Sequence, residues 1–344
     1  MSAAGRYWVF VALLTALFAA GLVAIWILTP SVGPQQQAFV DIPRGANARQ
    51  IARLLADGGV IESRLQFLMV RALRPRATLK AGEYRFKERQ SMWSVFDRIV
   101  RGDVFYYVLV VPEGNNIFDI AHTLERQGIM QAEAFLKAAR DPSLVRDLDP
   151  RAPTLEGYLF PDTYHVTRST TAAQLCRLMT DRFRKAWKSL GPQAADVHDT
   201  VTVASLVERE AKLAGERSLI ASVFYNRLRL GLPLQCDPTA VYAAEVEDRY
   251  RGAIYRSDLN SKQVYNTYQH AGLPPGPIAN PGMASLRAAL HPAVTEYLYF
   301  VVRPDGTGAH QFSKGLAEHT RAVQQYRRGL REQAGQTGGV ARVR

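Results

Sequence analysis

The chain has 344 residues, 47% of them hydrophobic and 10% aromatic, so it can bury a sizeable core and does not read as disordered. Its net charge of +12 suits nucleic acid, a membrane face or an anionic polymer, and does not choose among them. No basic run is interleaved with aromatics, so no nucleic-acid partner is expected.

From Trp8 to Leu28 runs WVFVALLTALFAAGLVAIWIL, 21 residues without a charge. As a helix it is about 30 Å long, the thickness of a bilayer's hydrocarbon core. Tyr7, Trp8 and Trp26 sit near its ends, where amphipathic rings favour the interface. A transmembrane helix is therefore expected over 7–28. The rival is a cleaved signal peptide with Ser31-Val32-Gly33 as a small-x-small site, against which stands the usual h-region of only about 7–15 residues. Arg6, the one charged side chain before the span, assigns 1–6 to the cytoplasm and the remainder to the outside. Residues 29–38 form a polar linker containing Pro and Gly.

A repeat follows. Pro43, Gly45, Asn47, Ile51, Ala52, Leu55 and Gly59 recur as Pro112, Gly114, Asn116, Ile120, Ala121, Leu124 and Gly128, at a constant offset of 69. Each copy reads as strand, turn, amphipathic helix and glycine stop, and continues into a second short helix containing Phe67 or Phe135. Two copies are too few for a solenoid. Between them, Leu79 to Phe86 (LKAGEYRF) reads as a strand entered through a Gly turn. Farther on, helices are expected from about Thr171 to Lys188, about Thr200 to Leu213, and Arg217 to Leu230. The Pro- and Gly-rich stretch Tyr265 to Met283 is expected to be an ordered loop system. Tyr297 to Val302 and a short HQF strand make a hairpin, and Ser313 caps a last helix to about Arg331. The overall class is α+β, ending in a basic flexible tail over 333–344.

The helix expected from about Thr200 carries VASLVEREAKLAGER, with three glutamates. On a helical wheel, Glu210 falls within an apolar arc built from Val203, Leu206, Val207, Leu213 and Ala214. Glu208, with Lys212 as an ion-pair partner, and Glu216 read as solvated charges. A carboxyl in an apolar stripe is costly unless paired or protonated, and the protonated form is what a general acid needs. From the wheel alone, Glu210 is either such an acid or the partner of a buried Arg or a loop cap.

EGYLFPDTY (Glu156 to Tyr164), LQCDPT (Leu234 to Thr239) and YNTY (Tyr265 to Tyr268) set polar groups among rings and prolines. They suit a sugar, whose faces are apolar and whose rim carries hydroxyls, or they are well-made turns, with Asp237-Pro238 as a cap and a Pro at N1. No zinc, nucleophile, P-loop or dinucleotide motif is present. Cys176 and Cys236 either pair or stand as isolated small apolar residues.

EGYLFPDTY, VASLVEREA with SVFYNRLR, LQCDPT, YNTY, GLPPGPIANPG, HPA and YLYFV, in this order and spacing, resemble the YceG-like endolytic murein transglycosylase family over nearly the whole chain. The resemblance implies a single-pass inner-membrane protein facing the periplasm, with a LysM-like module over 39–105 and a catalytic domain over 106–332, in which 106–150 repeats the module's pattern. It implies cleavage of nascent peptidoglycan between N-acetylmuramic acid and N-acetylglucosamine, leaving 1,6-anhydro ends and terminating strand elongation. Carried over, the family's catalytic glutamate is Glu210. Gln235, Asp237, Asn266, Tyr268, Glu156 and Glu208 are candidates for holding sugar or supporting the acid. Ala211 and Cys236 depart from the family's pattern, which leaves local hydrogen bonding open. No metal or cofactor is implied. The implied partners are glycan strands, the inner membrane and peptidoglycan synthases (penicillin-binding proteins). The rival reading is a non-catalytic peptidoglycan-binding scaffold of the cell-wall synthesis machinery.

Overall fold

The structure is a computed structural model that describes residues 3–28, 34, 37–191 and 195–340. Most of the linker read at 29–38, including Ser31 to Gly33, lies outside the described residues, as do 341–344 of the tail. The chain divides into two units, Met1–Tyr107 and Val108–Arg344. Its class is mixed α+β, with a single N-terminal apolar helix among the described residues.

That helix, α1 (Ala3–Leu28), is apolar all round. Its segment Arg6–Trp26 is long and apolar enough to cross a membrane. The rest of the first unit is β1 (Ala38–Ile42), α2 (Ala48–Asp57), α3 (Arg64–Leu73), β2 (Gly82–Phe86) and α4 (Met92–Arg101). β1 and β2 pair antiparallel with Val40 opposite Tyr84. Ile42, Ile51, Leu55, Phe67, Tyr84 and Phe96 are fully buried in a core of their own. The Tyr84 hydroxyl is satisfied by donating to the Lys80 carbonyl at 2.8 Å.

The second unit begins with β3 (Tyr107–Val110), α5 (Ile117–Arg126) and α6 (Ala132–Ala139), and here the repeat is realised atom for atom. Asn47 and Asn116 both close capping boxes, with Gln50 and Asp119 respectively. Gly45 and Gly114 turn into these helices at φ +82° and +81°, and Gly59 and Gly128 follow them at +68° and +65°, a region that favours glycine. Ile51, Ala52 and Leu55 in one copy, and Ile120, Ala121 and Leu124 in the other, are buried, as are Phe67 and Phe135. β3 pairs with β4 (Thr163–Val166), so each copy keeps its own two-stranded sheet.

α7 (Ala172–Ser189) starts at a Thr171 cap, and α8 (Val197–Glu210) runs through the middle of the unit. α9 (Arg217–Arg229), α10 (Asp237–Val246), α11 (Arg256–Leu259), α12 (Met283–Leu290), the antiparallel pair β5 (Tyr299–Val302) and β6 (His310–Ser313), and α13 (Leu316–Val340) complete it. α8 packs against α9, α10 and α12. Every residue from Thr200 to Val207 is buried, so α8 has no solvated face along that stretch. Within that stretch Ser205 donates to the Thr202 carbonyl at 2.7 Å and accepts the Ile278 amide at 3.1 Å, whereas the Thr202 hydroxyl is buried without a hydrogen-bond partner.

Three expectations are corrected and one open alternative is decided. α8 ends at Glu210, because Ala211 turns extended (φ −76°, ψ 111°), so Leu213 and Ala214 belong to no apolar arc and are exposed. Ser313 belongs to β6 and does not cap α13, which continues beyond Arg331 to Val340. Cys236, not Asp237, occupies the cap of α10, with Asp237 and Pro238 as its first helical residues. Both cysteines are buried and free.

Candidate active site

α8 delivers Glu210 as its last helical residue into a cleft of about 470 Å³. The carboxyl sits where α8 meets the loop leading into α10. Leu234, Gln235, Cys236 and Asp237 line one wall beside Tyr268, and Tyr299, Phe300, His310 and His319 line the other, with Arg227 of α9 between. Burial pushes the Glu210 carboxyl up to about 7, with the Asp237 charge adding to the rise and the Cys236 thiol and Arg209 opposing it. Near neutral pH it therefore carries a proton for a large share of the time. Its Oε1 accepts a hydrogen bond from the Cys236 thiol at 3.2 Å.

The wall is stitched from two distant loops. Gln235 N donates to the Thr267 carbonyl at 3.2 Å, and Cys236 N donates to Thr267 Oγ1 at 3.0 Å. The Tyr268 hydroxyl donates to Asp237 Oδ1 at 2.5 Å. Gln235 adopts φ +51°, a left-handed conformation uncommon outside glycine, and this turns Cys236 inward while Gln235 and Asp237 stay exposed to the cleft. Arg227 braces two segments, donating to the Pro233 carbonyl at 2.9 Å and Gln235 Oε1 at 2.9 Å in one and to the Leu298 carbonyl at 3.1 Å in the other. Its guanidinium lies 5.3 Å from the Tyr299 ring centroid, and the other partner of that ring is His319, stacked at 5.0 Å.

Of the residues singled out from sequence, Glu210, Gln235, Asp237 and Tyr268 are brought together in this cleft, and Asn266, Glu156 and Glu208 do not line it. Asn266 is fully buried, and its amide donates to the carbonyls of Asp258, Leu259 and Ser261 at 3.2, 3.1 and 2.7 Å. Its Oδ1 accepts the Tyr268 amide at 3.1 Å, so it shapes the loop that presents Tyr268. Glu156 is also buried. It accepts the Ile117 amide at 2.9 Å, the Tyr242 hydroxyl at 3.1 Å and the Asn280 amide at 2.9 Å.

Neither remaining glutamate of the α8 stretch is a solvated charge. The Glu208 side chain is 6% exposed and pairs with Arg217 at 3.4 Å, not with Lys212, because the chain leaves the helix before Lys212. Glu216 accepts both the His310 amide at 2.8 Å and its ring Nδ1 at 2.7 Å. Arg227, Tyr299, His310 and His319 were not singled out from sequence. The SVFYNRLR and YLYFV stretches contain two of them, but nothing local shows that β5, β6 and α13 fold back over α9. Among the described residues, no cluster of three or more His, Cys, Asp or Glu side chains is placed to hold a metal ion.

Chemically, the cleft offers one carboxyl poised near neutrality, a neighbouring carboxylate held by a phenol, and flat rings flanked by amide and guanidinium groups. Such a set can protonate a leaving oxygen while sugar faces rest on the rings.

Comparison with known proteins identifies the family. Residues 40–325 match the model of the YceG-like family. The chain is 33% identical over 307 residues to a Bacillus subtilis (strain 168) protein named endolytic murein transglycosylase, covering 83% of this chain and 84% of that one. A Streptococcus pneumoniae (serotype 2, strain D39) protein of the same name is 29% identical over 353 residues; the match covers 92% of this chain and 64% of the relative's length. The crystal structure of a yceG-like protein from Listeria monocytogenes is similar with a TM-score of 0.54 at 33% identity, over 84% of this chain and 99% of that chain.

Proposed function

This chain belongs to the YceG-like family, and on that premise we propose that it is a membrane-anchored endolytic lytic transglycosylase acting on nascent peptidoglycan strands. The observation that carries the proposal is the position of Glu210: a single carboxyl at the end of a buried helix, on a ring-lined cleft, raised to about 7 by burial. Protonated, it donates to the glycosidic oxygen between N-acetylmuramic acid and N-acetylglucosamine as an oxocarbenium-like transition state develops. Charged after that step, it takes the proton from the muramic C6 hydroxyl as that oxygen closes on C1. The leaving sugar departs with the first proton, the 1,6-anhydro ring forms, and the acid regains its proton. Gln235, Asp237 and Tyr268 hold the sugar rings, Tyr299 lines the wall with Arg227 and His319 against its ring, and Asn266, Glu156 and Glu208 support the scaffold behind them. No cofactor or metal enters the reaction.

The long uncharged run of helix α1 supports a single-pass inner-membrane anchor, with Arg6 on the cytoplasmic side and the catalytic unit in the periplasm. The small module after it, with its own buried core, supports the LysM-like reading and contact with glycan. Proximity to peptidoglycan synthases, and termination of strand elongation, follow from the same proposal.

One observation favours a second reading. Asp237 shares the cleft with Glu210, and two carboxyls can also carry out ordinary hydrolysis. The test is incubation of the parent and Glu210→Gln proteins with uncrosslinked glycan strands, read by mass spectrometry. Anhydro-ended fragments from the parent alone support the proposal. Reducing ends indicate hydrolysis, and equal yields from both proteins remove Glu210 from the chemistry. Absence of product from the parent supports the non-catalytic scaffold.

A further inference from the structure

We propose that Cys236 is a positioning residue for Glu210, its thiol orienting the carboxyl in the cleft and setting the pH at which that acid works. This rests on the reading of Glu210 as the general acid.

The geometry isolates the thiol as a dedicated donor. Cys236 is 2% exposed, and its backbone is held at both ends: its amide donates to Thr267 Oγ1 at 3.0 Å, and its carbonyl accepts from Thr239 Oγ1 at 2.6 Å. Those two hydroxyls also bond each other at 2.9 Å, locking the α10 entry against the loop from Tyr265 to Tyr268. With the main chain committed and Gln235 left-handed, the Cys236 thiol points at Glu210 Oε1, 3.2 Å away. Burial and the adjacent Glu210 carboxyl keep the thiol well above its ordinary range, so it remains an S–H donor throughout the working range.

Other charged and titratable groups surround the cleft. Asp237 and Tyr268 of the stitched wall and Arg209 of α8 act on Glu210 electrostatically, and Arg227 of α9, His310 of β6 and His319 of α13 line the same cleft. None of them gives Glu210 a hydrogen bond among the described contacts, whereas the thiol does. A donated hydrogen bond favours the charged carboxylate. Removing it therefore holds the proton on Glu210 to higher pH, and the alkaline limb of activity moves upward.

The experiment measures kcat/KM against pH for the full-length parent, Cys236→Ala, Cys236→Val and Cys236→Ser in detergent, with uncrosslinked glycan as substrate. Val fills the volume should Ala fail to fold. Ala and Val are expected to raise the alkaline limb by about half to one pH unit, since one unit corresponds to about 1.4 kcal/mol, just below the range of one ordinary hydrogen bond to a charged group, as suits a weak S–H donor. Ser, which keeps a donor, is expected to stay near the parent. Unmoved limbs in Ala and Val overturn the proposal. So does a shift in Ser equal to that in Ala, which would mark a packing effect. Parent-like activity in Glu210→Gln would sink the assignment of the acid, and this role with it, a failure distinct from unmoved limbs.

Discussion

Glu208 accepts the backbone amide of Gly282 at 2.9 Å, fastening the last turn of α8 to the cap of α12. The same carboxylate pairs with Arg217, whose Nε reaches Ser285 Oγ at 3.1 Å. One charge thus joins α8, α9 and α12 two residues before Glu210. Glu208→Ala leaves a largely buried guanidinium and a helix-cap amide without their partner, and is expected to cost about 2–3 kcal/mol in chemical denaturation. A loss within the range of a surface pair, under about 1 kcal/mol, would contradict a joining role for Glu208.

Asn266 separates scaffold from sugar contact. Asn266→Ala leaves the Ser261 carbonyl and the Tyr268 amide without their side-chain partner, while the Asp258 and Leu259 carbonyls keep Ser261 N and Gln269 Nε2, and is expected to lower stability by about 1–3 kcal/mol, with the activity loss following the loss of folded protein. A raised KM with an unchanged melting temperature would return Asn266 to the sugar-holding set.

Glu156 makes a pH prediction for stability. Burial pushes its carboxyl up to about 8 against the opposing donors Ile117 N and Tyr242 Oη, with nearby Glu245 and Asp119 adding to the rise. Between its ordinary value near 4.5 and about 8, the folded chain holds a proton that the unfolded chain has released. Stability contributed by this group is therefore full below about 4.5 and falls as pH rises toward 8. Glu156→Gln, neutral at every pH, should flatten the decline of the melting temperature across that window. An identical pH dependence in parent and variant would contradict this.

The parts of the fold governed by local chemistry were legible in the sequence. The 69-residue offset marked two Asn caps and two pairs of glycines that the structure builds alike. Glu210 was singled out for the right neighbourhood but by an incomplete argument. The wheel gave α8 one apolar face, whereas α8 is buried on all sides from Thr200 to Val207, and Ser205 turns its hydroxyl back onto the helix's own carbonyl. What makes Glu210 unusual is its place at the helix end against Cys236. Glu208 and Glu216 were misread because their partners, Gly282 and His310, lie 74 and 94 residues away. Arg227 was missed for the same reason: its partners include a carbonyl 71 residues on, and no local pattern announces a brace.

For Glu210 itself, the proton must be present for the first step. With its carboxyl raised to about 7, kcat/KM is expected to fall as pH rises through about that value, and the parent should lose this limb when the acid is replaced. Activity that keeps rising well beyond neutral pH would contradict the role of Glu210 as acid.

The central claim is that Glu210 acts without an attacking water, and the source of the new oxygen bond tests it most directly. Cleavage of glycan strands in water enriched in the heavy oxygen isotope should give unlabelled 1,6-anhydro ends, because the closing oxygen is the sugar's own C6 hydroxyl. New labelled reducing ends in place of anhydro ends, in excess of those that uncleaved strands acquire by exchange in the same water, would contradict the account and transfer the chemistry to hydrolysis with Asp237 in the second role.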